Sequence, residues 1–314
     1  MDGRTFTHRE ISYTPTDLRK RKQHLYIVTD MPDIVNVEFA AETDGILQDL
    51  NSLTDETVAN SAFYVNFSTA DLAVPVIRRI IKNKGLFAPP PEFSKKTYEA
   101  FSKTARNTLN EVLAIQQHNF FGYTECSMQL SQAVELTKNL EGDFVELGVY
   151  SGTSALEVMI HMRNLGLKRT CYLLDTYNGF NYIASEKSSD LIWDRTHLQN
   201  PLATMERIKD ITAVTQQDVR IEPCEICSQS LPLSITKIAL AHVDVDMYES
   251  TLESLSKLAK FVVHKGIIVL DDTPAVPGLY GAYVAMLDFL DSDIGSKFMG
   301  IHTTTKHFLI KVDH

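Results

Sequence analysis

Four aspartates stand where two strand-like runs give out. "KIALAHVDVD" ends in Asp244 and Asp246, and "KGIIVLDDT" carries Asp271 and Asp272. A lone aspartate in such a place ordinarily caps the helix that follows. Three or four carboxylates at one sheet edge are different, because they repel one another unless protons or a cation relieve them. Hard oxygen donors of this kind suit Mg2+ or a similar divalent ion, which keeps waters or substrate oxygens in its shell. Hydride transfer has no evident need for such a cluster, whereas activating a hydroxyl does. An alcohol of pKa about 15 to 16 is too weak an acid for a carboxylate alone, and a divalent cation closes several units of that gap. An acceptor with two adjacent oxygens would chelate the ion and aim one oxygen at an electrophile.

Two earlier strand ends add nucleoside chemistry. In "DFVELGVYSGTSA", Glu146 and Gly148 close a run and Gly152 opens a helix. Glycines there admit a ligand to the backbone, and free N–H groups face it. A dinucleotide fingerprint would read GxGxxG; this loop reads ELGxxxG. Asp175, ending the strand in "RTCYLLDTYNGF", is placed to accept hydrogen bonds from both hydroxyls of a ribose. Nicotinamide and S-adenosylmethionine (SAM) enzymes share that device, so a nucleoside is indicated without saying which. His242 alternates onto the face of Asp244 and reads first as a buried strand residue; it and Asp246 stay open as assisting bases. Cys224 and Cys227 form a CxxC, but no second pair or nearby histidine pair completes a zinc site.

From about residue 143 onward, short apolar runs alternate with amphipathic stretches, and "KHFLIKV" closes the chain. That alternation means a mainly parallel sheet with helices on both faces, which binds ligands beyond the carboxyl ends of its strands. The polar segment 181–200, with Trp193, reads as a lid over the acceptor. Residues 1–118 have another character. They show a short strand at 24–30, a helix over 68–85, then "APPPEF" and one long helix over 92–118. Without site chemistry, they read as a mainly helical extension, a cap or dimerisation layer, ahead of a catalytic domain at 119–314. Ser127 is expected to cap a helix over 128–140.

Bulk properties exclude some partners. The chain of 314 residues is 44% hydrophobic, enough for a sizeable core, and its net charge of −10 argues against wholesale binding to nucleic-acid phosphates. "RKRK" at 19–22 reads as a solvated stretch. No apolar run marks a signal peptide or a membrane span, and four cysteines are too few for a disulfide framework. The expected compartment is the reducing cytoplasm.

Taken in order, "YTECSMQLSQAVEL…GDFVELGVYSGTSA", "LLDTYNGF", "VDVDMYESTLESL" and "GIIVLDDTPAVPGLYGAYVAMLDFL" resemble the macrocin O-methyltransferase (TylF) family over roughly residues 120–292. These are SAM- and metal-dependent enzymes that methylate hydroxyls, typically on natural-product sugars. The resemblance implies a class I SAM-methyltransferase-like (Rossmann-like) α/β fold. It implies that Glu146, Gly148 and Gly152 line the methionine portion of SAM and that Asp175 holds the ribose. It further implies that Asp244, Asp271 and Asp272 bind Mg2+ or another divalent cation, with Asp244 taking the proton from the acceptor. The chain departs from the family in its long leading segment and in "PCEICSQSLP", where a glycine-aromatic-acidic pattern is usual. The expectation is a SAM-dependent O-methyltransferase for a small hydroxylated acceptor, a homodimer or higher oligomer, with no nucleic-acid or membrane partner. The rivals are a nicotinamide-dependent oxidoreductase and a non-catalytic SAM- or metabolite-binding protein; the aspartate cluster argues against both.

Overall fold

The computed structural model describes residues 14–32, 40–67, 70–88, 102–116, 124–190, 192–272, 277–303 and 305–312. The chain divides into two compact units, Met1–Lys103 and Thr104–His314.

In the first unit, helix α1 (Pro15–Arg19) precedes strands β1 (His24–Thr29) and β2 (Gly45–Leu47), and helix α2 (Asp55–Ala59) leads into β3 (Ser61–Asn66). Helix α3 (Ala70–Lys82) and strand β4 (Leu86–Ala88) follow. The strands are parallel, in the order β2-β1-β3-β4. Val28, Phe63, Val58 and Ile80 fill one core, and Leu25, Ile27 and Tyr64 another. This unit is therefore α/β where the sequence suggests mostly helix. The reason is physical: β2 and β4 have three residues each, too short to show alternation. β3, "SAFYVN", is a buried apolar run that periodicity cannot distinguish from a helix segment. Of the long helix expected over 92–118, residues 92–101 lie outside the described residues. Its described part, α4 (Lys103–Gln116), packs Val112 on Leu156 and Ile160 of the second unit, so the division falls earlier than 118/119.

The second unit begins with α4 and α5 (Thr124–Thr137) and then builds a seven-stranded sheet. In chain order come β5 (Asp143–Leu147), α6 (Thr153–Asn164), β6 (Thr170–Asp175), α7 (Ile183–Lys187), α8 (Pro201–Thr212) and β7 (Asp218–Pro223). They are followed by β8 (Ile238–Val243), α9 (Tyr248–Leu258), β9 (Val262–Leu270), α10 (Tyr280–Leu290), β10 (Phe298–His302) and β11 (His307–Lys311). The strand order is β10-β11-β9-β8-β5-β6-β7; β5 to β9 are parallel, and β11 runs against both neighbours.

Strand alternation feeds two cores. Val145, Leu147, Ala241, Val243, Ile268 and Leu270 meet α9 and α10 through Leu255, Leu258, Met286 and Phe289. Phe144, Leu240, Ile267, Val269 and Phe308 meet α5, α6 and α8 through Val134, Val158, Met159 and Ile208. Each such side chain contributes about 1.5–3 kcal/mol on burial, so the sheet is a stiff platform for whatever its edge carries. This is the class I SAM-methyltransferase-like architecture. Ser127 lies inside α5 rather than at its cap, because that helix starts at Thr124. Among the described residues no helix is long and apolar enough to cross a membrane. The chain leaves β5 toward β6 and β7, then returns to β8 on the other side, and this reversal opens a crevice beyond the ends of β5 and β8.

Candidate active site

At the turn after β5 the two strand ends flanking the crevice come into close contact. Gly148 has φ +83°, and a Cβ there would stand 1.7 Å from the Asp244 carbonyl oxygen, so the two strand ends meet only because the residue is glycine. Gly152, at φ +80°, turns the chain into α6 with no side-chain cap, leaving the first N–H groups of the helix to the crevice. Asp175 ties the loop together. Its Oδ2 accepts from the N–H groups of Val149 (2.7 Å) and Tyr150 (2.9 Å), and its Oδ1 from that of Tyr177 (2.8 Å). Above this loop opens a cavity of about 590 Å³, whose wall includes Gly148, Tyr150, Asp175, Asp244, Asp246 and Ser250.

Three carboxylates cluster at that wall, two of them lining it and the third, Asp272, buried behind. Asp244, Asp246 and Asp272 each offer an oxygen, all within 4.8 Å of one another. Ladder bonds carry their strands to this point: the Asp244 N–H donates to Leu147 O and the Asp271 N–H to Val243 O, both at 2.9 Å. Asp246 takes the left-handed φ of +59°, and its N–H donates to Asp272 Oδ2 at 3.1 Å. Burial, then repulsion from Asp246, pushes Asp244 up to about 6, and burial lifts Asp246 to about 6 as well. Asp272, 2% exposed, is held well above the usual carboxylate range by burial and by both neighbours. Such a set fits a hard divalent ion, whose opposing oxygens stand roughly 4 to 5 Å apart and whose charge relieves the repulsion.

Asp271 lines the same cavity but has different partners. Neighbours on an extended chain point to opposite sides, and Asp271 turns to the α5–α6 side. There its Oδ1 meets the Lys306 ammonium and, at 3.3 Å, His242 Nε2. His242 Nδ1 lies 2.7 Å from Glu146 Oε1, which also accepts from Ser154 Oγ at 2.6 Å. Both ring nitrogens of His242 are thus engaged by carboxylates, which leaves neither facing an acceptor and makes the residue a poor candidate base. Burial lowers the Lys306 ammonium, while Asp244 and Glu157 pull it back up. Glu157, buried on α6 with Ser131 Oγ at 3.4 Å, is pushed up to about 8 by burial.

The 181–200 segment docks beside the cavity. The Tyr182 hydroxyl is 3.1 Å from Ser250 Oγ, and Asp190 Oδ2 accepts the Tyr248 N–H at 2.7 Å, capping the start of α9. Trp193 Nε1 donates to Gly278 O at 3.0 Å, and its ring packs with Phe180 and His197 at centroid distances of 5.6 and 5.8 Å. Cys224 lines the cavity and Cys227 does not; both are free thiols that burial raises.

The family model for macrocin-O-methyltransferase (TylF) matches residues 87–294. The chain belongs to that family. As a TylF-family member it is a SAM-dependent O-methyltransferase. Similar solved structures include the O-methyltransferase NovP, 20% identical over 60% of this chain and 79% of that one, with a TM-score of 0.48. The calicheamicin methyltransferase CalS11 is 15% identical over 68% of this chain and 95% of that one, with a TM-score of 0.48. TomG from Streptomyces achromogenes, solved with SAM, is 12% identical over 71% and 94%, with a TM-score of 0.43. No curated protein matches the chain.

The sequence-derived site meets this geometry unevenly. Gly148, Asp175, Asp244 and Asp271 line the cavity, and Asp272, buried behind the wall, clusters with Asp244. Glu146 does not line the cavity; it is fully buried and holds His242 and Ser154 where a contact with the methionine of SAM was expected. Gly152 shapes the entry to α6. Asp271, expected as a metal ligand, is taken by Lys306 and His242, and Asp246 stands in the cluster instead. Lys306 and Glu157 carry no motif. Glu157 left one signal, an acid inside the apolar run "ALEVMI". Lys306 left another, its place before the last strand.

Proposed function

We propose that this enzyme methylates a hydroxyl of a small, polyhydroxylated, sugar-like natural product with the help of a divalent cation held by Asp244, Asp246 and Asp272. One observation carries the reading: three buried or half-buried carboxylates converge at the cavity edge beside the Gly148 turn. When bound, the cation supplies Lewis-acidic charge that makes a substrate hydroxyl easier to deprotonate, and SAM supplies the activated methyl. Gly148 and the open end of α6 receive the methionine portion of SAM. Asp175 Oδ1 accepts from the Tyr177 N–H and, at 3.4 Å, from the Thr176 hydroxyl, and a ribose hydroxyl would take the place of that longer contact. Asp244 accepts the hydroxyl proton; titrating near 6, it is ionised at neutral pH. As the O–CH3 bond forms, the S–CH3 bond breaks and the proton stays on Asp244. The 181–200 segment, pinned by Tyr182 and Trp193, shuts water out over the acceptor. We place the enzyme in the cytoplasm, where its four free cysteines stay reduced.

The test is methyl transfer from labelled SAM to a panel of polyhydroxylated acceptors. Activity is expected to vanish with EDTA, return with Mg2+ or Mn2+, and stay absent in Asp272→Asn. Transfer that EDTA leaves untouched refutes the cation, and methylation of nitrogen or carbon refutes the hydroxyl acceptor.

A further inference from the structure

We propose that His302 and His307, paired across β10 and β11, form a separate metal site for a borderline transition ion such as Zn2+, away from the aspartate cluster.

Register and alternation bring the two rings together. β10 and β11 are antiparallel, and His302 stands directly opposite His307. Directly opposed residues share a face, so the imidazoles meet, with centroids 4.4 Å apart and planes at 86°. On β11, His307 follows Lys306 and points to the other side of the sheet. Lys306 enters the cavity, whereas His307 packs against Tyr283 of α10 with ring centroids 5.7 Å apart. His302, His307 and Tyr283 do not line the cavity, and the titratable neighbour that acts on His307 is His302 rather than an acid of the cluster.

The bonding state of His307 points to a ligand. It is 3% exposed, yet neither ring nitrogen has a hydrogen-bond partner among the described residues. Leaving a buried donor or acceptor unsatisfied is destabilising, and an apolar ring of similar size would avoid the loss. Burial, then repulsion from His302, pushes His307 down to about 4. At neutral pH the ring is therefore uncharged and keeps a lone pair on one nitrogen, the form in which imidazole binds metals. Two such rings suit Zn2+, Ni2+ or Cu2+, whereas Mg2+ prefers oxygen. His302 is exposed, so an ion reaches the pair from solvent, and a turn of that ring about its Cβ–Cγ bond brings a nitrogen beside His307. Water completes the shell. β10 is the outermost strand and pairs with β11 alone, so the ion staples the sheet edge to its neighbour.

The experiment uses the full chain, with Zn2+ as the probe in excess Mg2+ and without acceptor or turnover. Calorimetry is expected to find a Zn2+ site whose affinity Asp272→Asn leaves unchanged. His302→Gln and His307→Gln should each weaken it about tenfold or more. X-ray absorption at the zinc edge should show two imidazole nitrogens at about 2.0–2.1 Å. Because the ion binds the folded chain, Zn2+ should raise the Tm of the wild type and lose that effect in both histidine variants. His302 is exposed, so His302→Gln carries the test alone should His307→Gln melt early. Three results overturn the proposal: no such site, binding that His302→Gln leaves intact, or zinc held by sulfur at about 2.3 Å. A Zn2+ site that Asp272→Asn abolishes belongs to the aspartate cluster and overturns it as well.

Discussion

Glu146→Gln keeps the shape of a fully buried side chain and removes its charge. Oε1 of the native carboxylate accepts from His242 at 2.7 Å and from Ser154 at 2.6 Å. A hydrogen bond to a charged group contributes about 1.5–3 kcal/mol, and stripping a buried ion of its partner costs about 3–5 kcal/mol. The glutamine oxygen still accepts one of these bonds, and Asp271 still faces the other ring nitrogen. The expected loss is therefore at the lower end, about 2–3 kcal/mol. For a unit the size of Thr104–His314, each kcal/mol moves the midpoint by about 2–4 °C, so Tm should fall by about 4–12 °C. Because the side chain sits behind the cavity wall, SAM affinity should stay close to wild type. Differential scanning calorimetry measures the first quantity and SAM titration the second. An unchanged Tm with SAM binding weakened by more than about tenfold would show that Glu146 touches SAM, and would refute the reasoning.

Three further outcomes follow from the same geometry. Gly148→Ala pushes a Cβ into the Asp244 carbonyl on a left-handed backbone, so it should cost about 2–4 kcal/mol and abolish methyl transfer; a variant melting like wild type contradicts this. Asp244 and Asp246 titrate near 6 in the fold, above their unfolded value of 3.8, so the cation-free protein binds these protons more tightly than the unfolded chain does. Its Tm should accordingly rise as pH falls from about 7 to about 5, and saturating Mg2+, which binds the ionised form, should reverse that slope; a melt series showing the same slope with and without Mg2+ counts against the cradle. Trp193→Ala loses the bond to Gly278 and the ring cluster, so KM for the acceptor should rise several-fold with SAM affinity unchanged. Equal losses for both substrates would mean that the segment is not an acceptor lid.

Local pattern sufficed for the methyltransferase sheet. β8, "IALAHV", is apolar enough to be buried on both faces, and its runout into Asp244 and Asp246 is continuous in the chain. Strand end, turn and helix are neighbours in sequence, so the carboxylates and the Gly148 turn could be read from a few residues each. The N-terminal sheet could not, because three-residue strands carry no period. Nor could the choice among the acids. Asp271 and Asp272 are identical residues side by side, and what separates them is alternation across a strand end, together with a lysine that arrives from β11. Hydropathy records which residues are buried but not the direction in which a strand runs. Antiparallel return alone brings Lys306 to the acidic edge, and long-range pairing of that kind exists only once the chain has folded.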